Sequence, residues 1–165
     1  MDILGLIKKL EKELPKFPDG RINYSKSKIA PVITVFVKYG DRILLLKRSD
    51  RVSTYRGKWN TVAGYLDEVK PIEEKVFEEL KEEVGIDRDL VSSIRIGKVY
   101  EFYDDKIDRK WIITPVLVEL KELPKIRLNE EHTEYRWIRF DEIENFDTVP
   151  NLSESLKRVL EISER

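Results

Sequence analysis

The stretch that decides the fold is residues 64–86, GYLDEVKPIEEKVFEELKEEVGI. Its second half predicts a helix over 72–84, because Pro71 suits a helix start and Gly85 suits the residue just past a helix end. At about 100° per residue, apolar side chains recur on one face of this helix: Val76, Phe77, Leu80 and Val84. Three carboxylates share the neighbouring face: Glu79, Glu82 and Glu83.

Like charges repeat along this helix at a spacing of four residues, in the pairs Glu74–Glu78, Glu78–Glu82 and Glu79–Glu83. Each such pair destabilises a helix by about 0.2–0.5 kcal/mol, whereas a solvated Glu/Lys surface places opposite charges at this spacing. Lys75 and Lys81 relieve the repulsion only in part. The pattern therefore favours a bound cation, and carboxylate oxygens suit a hard ion such as Mg²⁺ or Mn²⁺.

The whole stretch resembles the sequence box of the Nudix (MutT-like) hydrolases, which runs Gly, five residues, Glu, seven residues, then Arg-Glu-apolar-x-Glu-Glu-x-Gly-apolar. The spacing matches throughout, and seven positions match by type: Gly64, Glu79, Leu80, Glu82, Glu83, Gly85 and Ile86. Two positions depart, because Lys70 stands where the family has Glu and Glu78 where it has Arg. The resemblance covers about residues 29–146.

Mixed strand and helix patterns predict an α/β sandwich with a mixed sheet, and the resemblance implies the α/β/α sandwich of the Nudix fold with an added N-terminal amphipathic helix. We expect residues 1–28 to form that helix and a connecting segment, and residues 29–165 to form the hydrolase domain. Strands are predicted as a hairpin over 29–46 and at 60–63, 94–103, 110–120 and 133–140, and further helices at 141–146 and 151–163.

The resemblance implies hydrolysis, dependent on Mg²⁺ or Mn²⁺, of the pyrophosphate in a nucleoside diphosphate linked to another group. Candidate substrates are a nucleoside triphosphate, a nucleotide sugar and ADP-ribose. It also implies metal ligation by Glu79, Glu82, Glu83 and the carbonyl of Ala63, with Glu79 or a more distant residue as the base. Gly64 would let the loop approach a phosphate closely.

A second polar cluster precedes the strand Tyr135–Trp137 and contains Glu131 and the single histidine, His132. Family subgroups use such a loop for a metal ligand or a base, whereas the alternative for a lone histidine is a solvent-exposed or capping role. Arg48 and Arg51 follow the hairpin and are candidates for binding phosphate. Tyr55 and neighbouring residues can stack on a base, whereas Trp59 and Trp137 are expected to pack in the core or on the sheet.

The two departures have opposite signs, so Lys70 and Glu78 are expected to pair with the family's charges reversed. Exchanging both residues together should be tolerated better than exchanging either alone. The departures also raise an alternative function, a Nudix-fold protein that binds a nucleotide or regulates with little or no turnover. A prenyl diphosphate isomerase ranks lower, because that group needs a catalytic cysteine and this chain has none.

Composition limits the partners. Charged residues make up 38% of the 165 residues, against about 25% in ordinary proteins, but 31 basic and 32 acidic side chains nearly cancel. This balance argues against nucleic acid or a membrane surface as a partner. The absence of cysteine fits a reducing, cytoplasmic location, and the abundant Lys and Glu are typical of thermophiles. The amphipathic first helix packs either on its own domain or on a second subunit of a homodimer.

Overall fold

The computed structural model describes residues 1–163. The α-helices are α1 (Ile3–Glu13), α2 (Ile72–Val84) and α3 (Leu152–Ser163). The strands are β1 (Ile29–Tyr39), β2 (Arg42–Arg48), β3 (Trp59–Asn60), β4 (Val62–Tyr65), β5 (Val91–Ile96), β6 (Tyr100–Asp104), β7 (Arg109–Leu120) and β8 (His132–Arg139). Short 3₁₀ turns cover Arg88–Leu90 and Phe140–Asn145, the second where a helix was predicted.

The described residues form one mixed sheet of eight strands. Its centre is the parallel pair of β1 and β7, whose register runs from Ile29 opposite Lys110 to Lys38 opposite Glu119. The remaining pairs are antiparallel: β4 with β1, β2 with β1, β3 and β8, and β5 and β6 with β7. The predicted mixed sheet is therefore confirmed.

The predicted hairpin is correct at its turn, but its strands separate almost at once. Only Lys38 and Tyr39 of β1 pair with β2, and the chain of β3 and β4 enters the gap. Thr61 lies where this chain passes from β2 to β1, and its hydroxyl donates to the carbonyls of Val35, at 2.7 Å, and Leu44, at 3.3 Å. The sheet therefore opens beside β4, the strand that contains Gly64.

The predicted single strand over 94–103 is wrong, because the structure contains β5 and β6 with a break between them. Both strands pair with β7, β5 up to Val116 and β6 from Ile113. Pro115 lies between those positions, and its carbonyl accepts from Gly97 at 2.8 Å. Since proline has no N–H to donate on that side of the strand, the ladder is interrupted there.

Side chains of the sheet alternate between two apolar layers, as expected for a period of two. One face, which includes Val35, Val37 and Leu44, packs against Val76 and Leu80 of α2. The other face, which includes Phe36 and Leu45, packs against α3. The predicted α/β/α sandwich is therefore confirmed.

The amphipathic helix α1 packs on its own domain. Asp2 caps its first turn by accepting from the Gly5 N–H at 3.0 Å. Ile7 and Leu10 are buried in the same apolar layer as α2. None of the helices within residues 1–163 has the length and apolar character needed to cross a membrane.

Candidate active site

Helix α2 carries the acidic face that the sequence predicts. It begins at Ile72 and ends at Val84, and the next residue, Gly85, adopts the left-handed conformation with φ 71° that glycine favours. Glu79 and Glu83 are buried, with 8% and 2% of their surfaces exposed, whereas Glu82 is exposed to solvent. Two carboxylates one helical turn apart are thus held out of water.

Gly64 makes room for Glu79. A Cβ atom at position 64 would lie 2.5 Å from Cδ and 2.6 Å from Oε1 of Glu79, closer than real Cβ contacts allow. Because Gly64 has no side chain, the backbone of β4 can pass directly over this carboxylate. Glycine is therefore needed at position 64 to accommodate the Glu79 side chain of the protein itself.

The C-terminal half of α2 forms a cluster with Glu131, in the loop before β8, and with His132, the first residue of β8. One Glu83 oxygen accepts from the Ala63 N–H at 3.3 Å, and the other lies 3.8 Å from Nδ1 of His132. Glu131, which is exposed, joins these two buried side chains at the solvent edge, and one ligand atom from each of Glu83, Glu131 and His132 lies within 4.8 Å of the others. We call these three residues the buried cluster.

Electrostatics in the buried cluster disfavour charge. Burial and the neighbouring Glu79 carboxylate raise the pKa of Glu83 well above its usual value. Burial also raises the pKa of Glu131, although Arg48 opposes it. Burial and the charge of Arg48 lower the pKa of His132 to about 4. Neither ring nitrogen of His132 has a hydrogen-bond partner within residues 1–163.

The first half of α2, up to Glu78, is organised differently, because cations surround its carboxylates. Glu78 forms the predicted pair with Lys70 and also accepts from Arg21 at 2.8 Å. Lys75 places its Nζ 2.8 Å from Asp67, 3.4 Å from Glu78 and 3.3 Å from Glu79. We call the set of Arg21, Asp67, Lys70, Lys75 and Glu78 the compensated cluster.

Above both clusters lies a cavity of about 500 Å³. Its polar lining includes Glu79, Glu82 and Glu131 together with Arg48 and Arg51. Arg48 is half-buried and donates to the Thr54 carbonyl at 3.0 Å. The cavity thus places cationic side chains from the end of β2 and the loop after it on the same surface as the acidic helix.

An aromatic wall closes another side of the cavity and consists of Tyr55, Tyr65, Phe102 and Trp111. Tyr65 stacks on Trp111 with 6.1 Å between ring centroids. The Tyr55 hydroxyl donates to Asp104 at 2.6 Å and accepts from the Trp111 indole N–H at 3.1 Å. These contacts fix the planes of the rings before any ligand arrives.

The NUDIX domain family matches residues 28–159 of the chain, a range that contains the cavity, the box and both clusters except for Arg21. The chain belongs to the Nudix family. Hydrolysis of phosphoric anhydride bonds is the reaction of its pyrophosphohydrolases, and the enzyme class predicted from the box is confirmed at this level.

Solved structures show the same fold at low sequence identity. A MutT protein from Methanosarcina mazei Go1 is 22% identical with a TM-score of 0.67, over 85% of this chain and 99% of that one. An Ap4A hydrolase from C. elegans is 14% identical with a TM-score of 0.66, over 82% and 98%. The NUDIX domain of Shewanella oneidensis NrtR, solved with ADP ribose, is 12% identical with a TM-score of 0.67, over 83% and 89%. No curated protein matches the chain.

The residues of this Nudix chain fit a divalent metal ion. His132 presents buried ring nitrogens without partners, and Glu83 is buried beside a second carboxylate. Glu78, Glu79 and Glu82 form another group whose ligand atoms lie within 4.8 Å of one another. The carboxylate oxygens of these groups are donors that a hard divalent ion accepts.

The structure brings together all the predicted site residues, Arg48, Arg51, Ala63, Gly64, Glu79, Glu82, Glu83, Glu131 and His132, around one cavity and the cluster beneath it. Of these, His132 lies below the cavity wall and is buried, so the exposed or capping alternative for it is wrong. Trp59 is buried against Phe146, with 5.3 Å between ring centroids, and Trp137 packs on the core. The packing roles expected for both are confirmed.

Sequence reasoning missed two parts of the site. Trp111, Phe102 and Tyr65 carried no signal, because strand aromatics usually serve the core. Lys75 did carry one, since its helical position lies between the buried Ile72 and Glu79. A lysine on the buried edge of an amphipathic helix requires an anionic partner.

Proposed function

We propose that this protein hydrolyses, with Mg²⁺ or Mn²⁺, the pyrophosphate of a nucleoside diphosphate linked to another group. The observation that carries the proposal is one cavity with three walls: carboxylates of the box, two arginines and an aromatic surface. A metal–diphosphate needs the first two walls. A nucleobase suits the third, because base–aromatic stacking contributes about 1–3 kcal/mol.

The metal would be held by Glu79, Glu82 and Glu83, with the Ala63 carbonyl completing the shell. A bound divalent ion supplies neutralisation of phosphate oxygens and a lowered pKa for water. Ala63 orients Glu83 through its N–H at 3.3 Å. Arg48 and Arg51, which line the same cavity, would bind the phosphates, because a guanidinium group can donate to two phosphate oxygens at once.

Within the buried cluster, Glu131 is a better candidate than His132 for the catalytic base. It lines the cavity, whereas His132 does not, and a raised pKa suits a carboxylate that accepts a proton near neutral pH. Ser49 fixes its loop, since the Ser49 N–H donates to the Glu131 carbonyl at 2.8 Å and its hydroxyl to the Glu130 carbonyl at 2.7 Å. His132, neutral at pH 7, would support Glu83 or ligate the metal.

A substrate panel tests the proposal: nucleoside triphosphates, ADP-ribose, nucleotide sugars and dinucleoside polyphosphates, each with Mg²⁺, with Mn²⁺ and with EDTA. We expect cleavage at a phosphoric anhydride that requires the metal. The matched control is Glu73→Gln, on the same helix but exposed and outside the cavity, and it should retain full activity.

One observation favours the second candidate, a nucleotide-binding or regulatory protein with little turnover. The compensated cluster places an anion, Glu78, where the box has a cation. Binding of ADP-ribose in calorimetry, with no metal-dependent product from any member of the panel, would establish this alternative in place of the hydrolase.

The domain boundary, the location and the assembly stay predictions. We propose residues 29–165 as the hydrolase domain, with the segment before it supplying Arg21 to the box. Because α1 buries its apolar face in its own domain, a homodimer would use another surface. Light scattering measures the mass in solution, and cell fractionation tests the cytoplasmic location.

A further inference from the structure

Lys75 is the most deeply buried cation of the site. Only 2% of its surface is exposed, and its ammonium group contacts Asp67 at 2.8 Å, Glu79 at 3.3 Å and Glu78 at 3.4 Å. Three carboxylates surround this one buried ammonium group, so its charge is compensated within the fold. The side chain is therefore a fixed positive charge.

Glu79 is confined between this ammonium group and the backbone of β4 at Gly64. Its Oε1 atom is 3.3 Å from Lys75 Nζ, and the same oxygen would lie 2.6 Å from a Cβ at position 64. A carboxylate with a cation on one side and backbone on the other has little freedom to rotate. Glu78 and Asp67 hold the cation in turn.

We propose that Lys75 is a positioning residue, which holds the Glu79 carboxylate in the orientation that binds the divalent metal. It supplies, from one helical turn earlier, the positive charge that the box pattern places at position 78. The inference rests on the proposed function, because it requires Glu79 to be a metal ligand.

Mn²⁺ affinity of the full chain tests the inference, measured by calorimetry or by the signal of free Mn²⁺ in electron paramagnetic resonance. Lys75→Met keeps the length of the side chain without its charge. We expect Mn²⁺ binding to weaken about tenfold or more, the effect typical of removing a group that orients a ligand. The control is Lys81→Met, an exposed ammonium on the same helix that pairs with Asp87 at 2.6 Å, which should change nothing.

The absence of cysteine allows a rescue that a merely structural role would not predict. Lys75→Cys introduces the single thiol of the chain, and aminoethylation in denaturant followed by refolding returns an ammonium group at nearly the same distance. We expect Mn²⁺ affinity to return to within about threefold of wild type. Wild-type protein taken through the same steps controls for the treatment, and circular dichroism checks the fold.

Each outcome decides between the two claims. If wild-type protein binds no Mn²⁺, the proposed function and the inference both fail. If wild type binds and Lys75→Met binds equally or more tightly, the inference alone fails, because Lys75 would then be idle or a competing cation. If the position-75 variants do not fold, Asp67→Asn removes the anchor of the ammonium group, and unchanged Mn²⁺ binding there would overturn the inference.

Discussion

The two halves of helix α2 place glutamate side chains in opposite electrostatic environments. In the compensated cluster, Glu78 is surrounded by Arg21, Lys70 and Lys75. In the buried cluster, Glu83 faces Glu131 and a neutral histidine. Carboxylates that pair with the protein's own cations hold the helix and the neighbouring backbone in place. Carboxylates that lack such a partner can bind a metal cation from solution.

The largest effect is expected from a substitution in the buried cluster. Glu83→Gln should lower metal-dependent turnover by about 100-fold or more, yet raise the Tm of the metal-free protein at about pH 8, because it removes a buried negative charge. A gain of about 1 kcal/mol corresponds to about 2–4 °C for a chain of this size. Calorimetry without metal and steady-state assays with Mg²⁺ measure the two effects.

Glu79→Gln sharpens the comparison, because Glu79 already has a cation at 3.3 Å. It should lose turnover to a similar extent but gain less stability than Glu83→Gln, since the substitution leaves the Lys75 ammonium short of a partner. An equal rise in Tm for both variants would contradict the distinction between the two clusters.

A smaller effect is expected from Gly64→Ala. The new methyl group would push Glu79 away, because only 2.5 Å separates the added Cβ from its Cδ. Overpacking of this kind costs about 1–3 kcal/mol, and turnover should fall about tenfold if the carboxylate moves from its site. Urea unfolding and the same assay measure both.

Gly40→Ala is the matched control for that variant. Gly40 has φ 60°, and a Cβ there would meet only open space. The substitution strains the backbone by about 1 kcal/mol but should leave turnover intact. Equal losses of activity in the two variants would show that destabilisation alone explains the result.

The smallest expected effect is a dependence of metal stabilisation on pH. Burial raises the pKa of Glu83 and, against the pull of Lys75, that of Glu79. Protons therefore compete with the metal above the usual carboxylate range, and the Tm gained on adding Mg²⁺ should grow between about pH 5 and pH 8. Scanning calorimetry with Mg²⁺ and with EDTA measures this gain.

In the metal-free protein, the stability of the fold depends on pH with one sign for the buried carboxyls and with the opposite sign for His132. A carboxyl whose pKa is raised on folding contributes stability below about 4.5 that is lost as pH rises through the folded value. His132, whose pKa falls to about 4, contributes stability above about 6.5 that is lost as pH falls. Glu83→Gln should flatten the first dependence and leave the second, whereas Glu73→Gln should change neither.

Much of the site was predictable because it depends on spacing within one helix. The bounds of α2 and the shared face of Glu79 and Glu83 follow from the 3.6-residue period and from Gly85 at the end. The contact between Arg21 and Glu78 was not predictable, since 57 residues separate them and nothing in the intervening chain fixes how it returns. Loop-borne contacts depend on tertiary packing that no local pattern records.

The break between β5 and β6 shows the same limit inside the sheet. Each strand reads as a good β pattern alone, and the interruption originates in Pro115 on the neighbouring strand. The Lys70–Glu78 pair, in contrast, was predictable because opposite charges exchanged at two fixed box positions imply a contact.

The position of Trp111 has a practical consequence. Of the three tryptophans in the chain, Trp59 and Trp137 pack in the core, whereas the indole of Trp111 forms part of the cavity wall. With the other two replaced by phenylalanine, the protein would carry a single fluorophore at the place where a base would stack. Nucleotide analogues that cannot be cleaved can then be titrated by the quenching of that emission, without labelling either molecule.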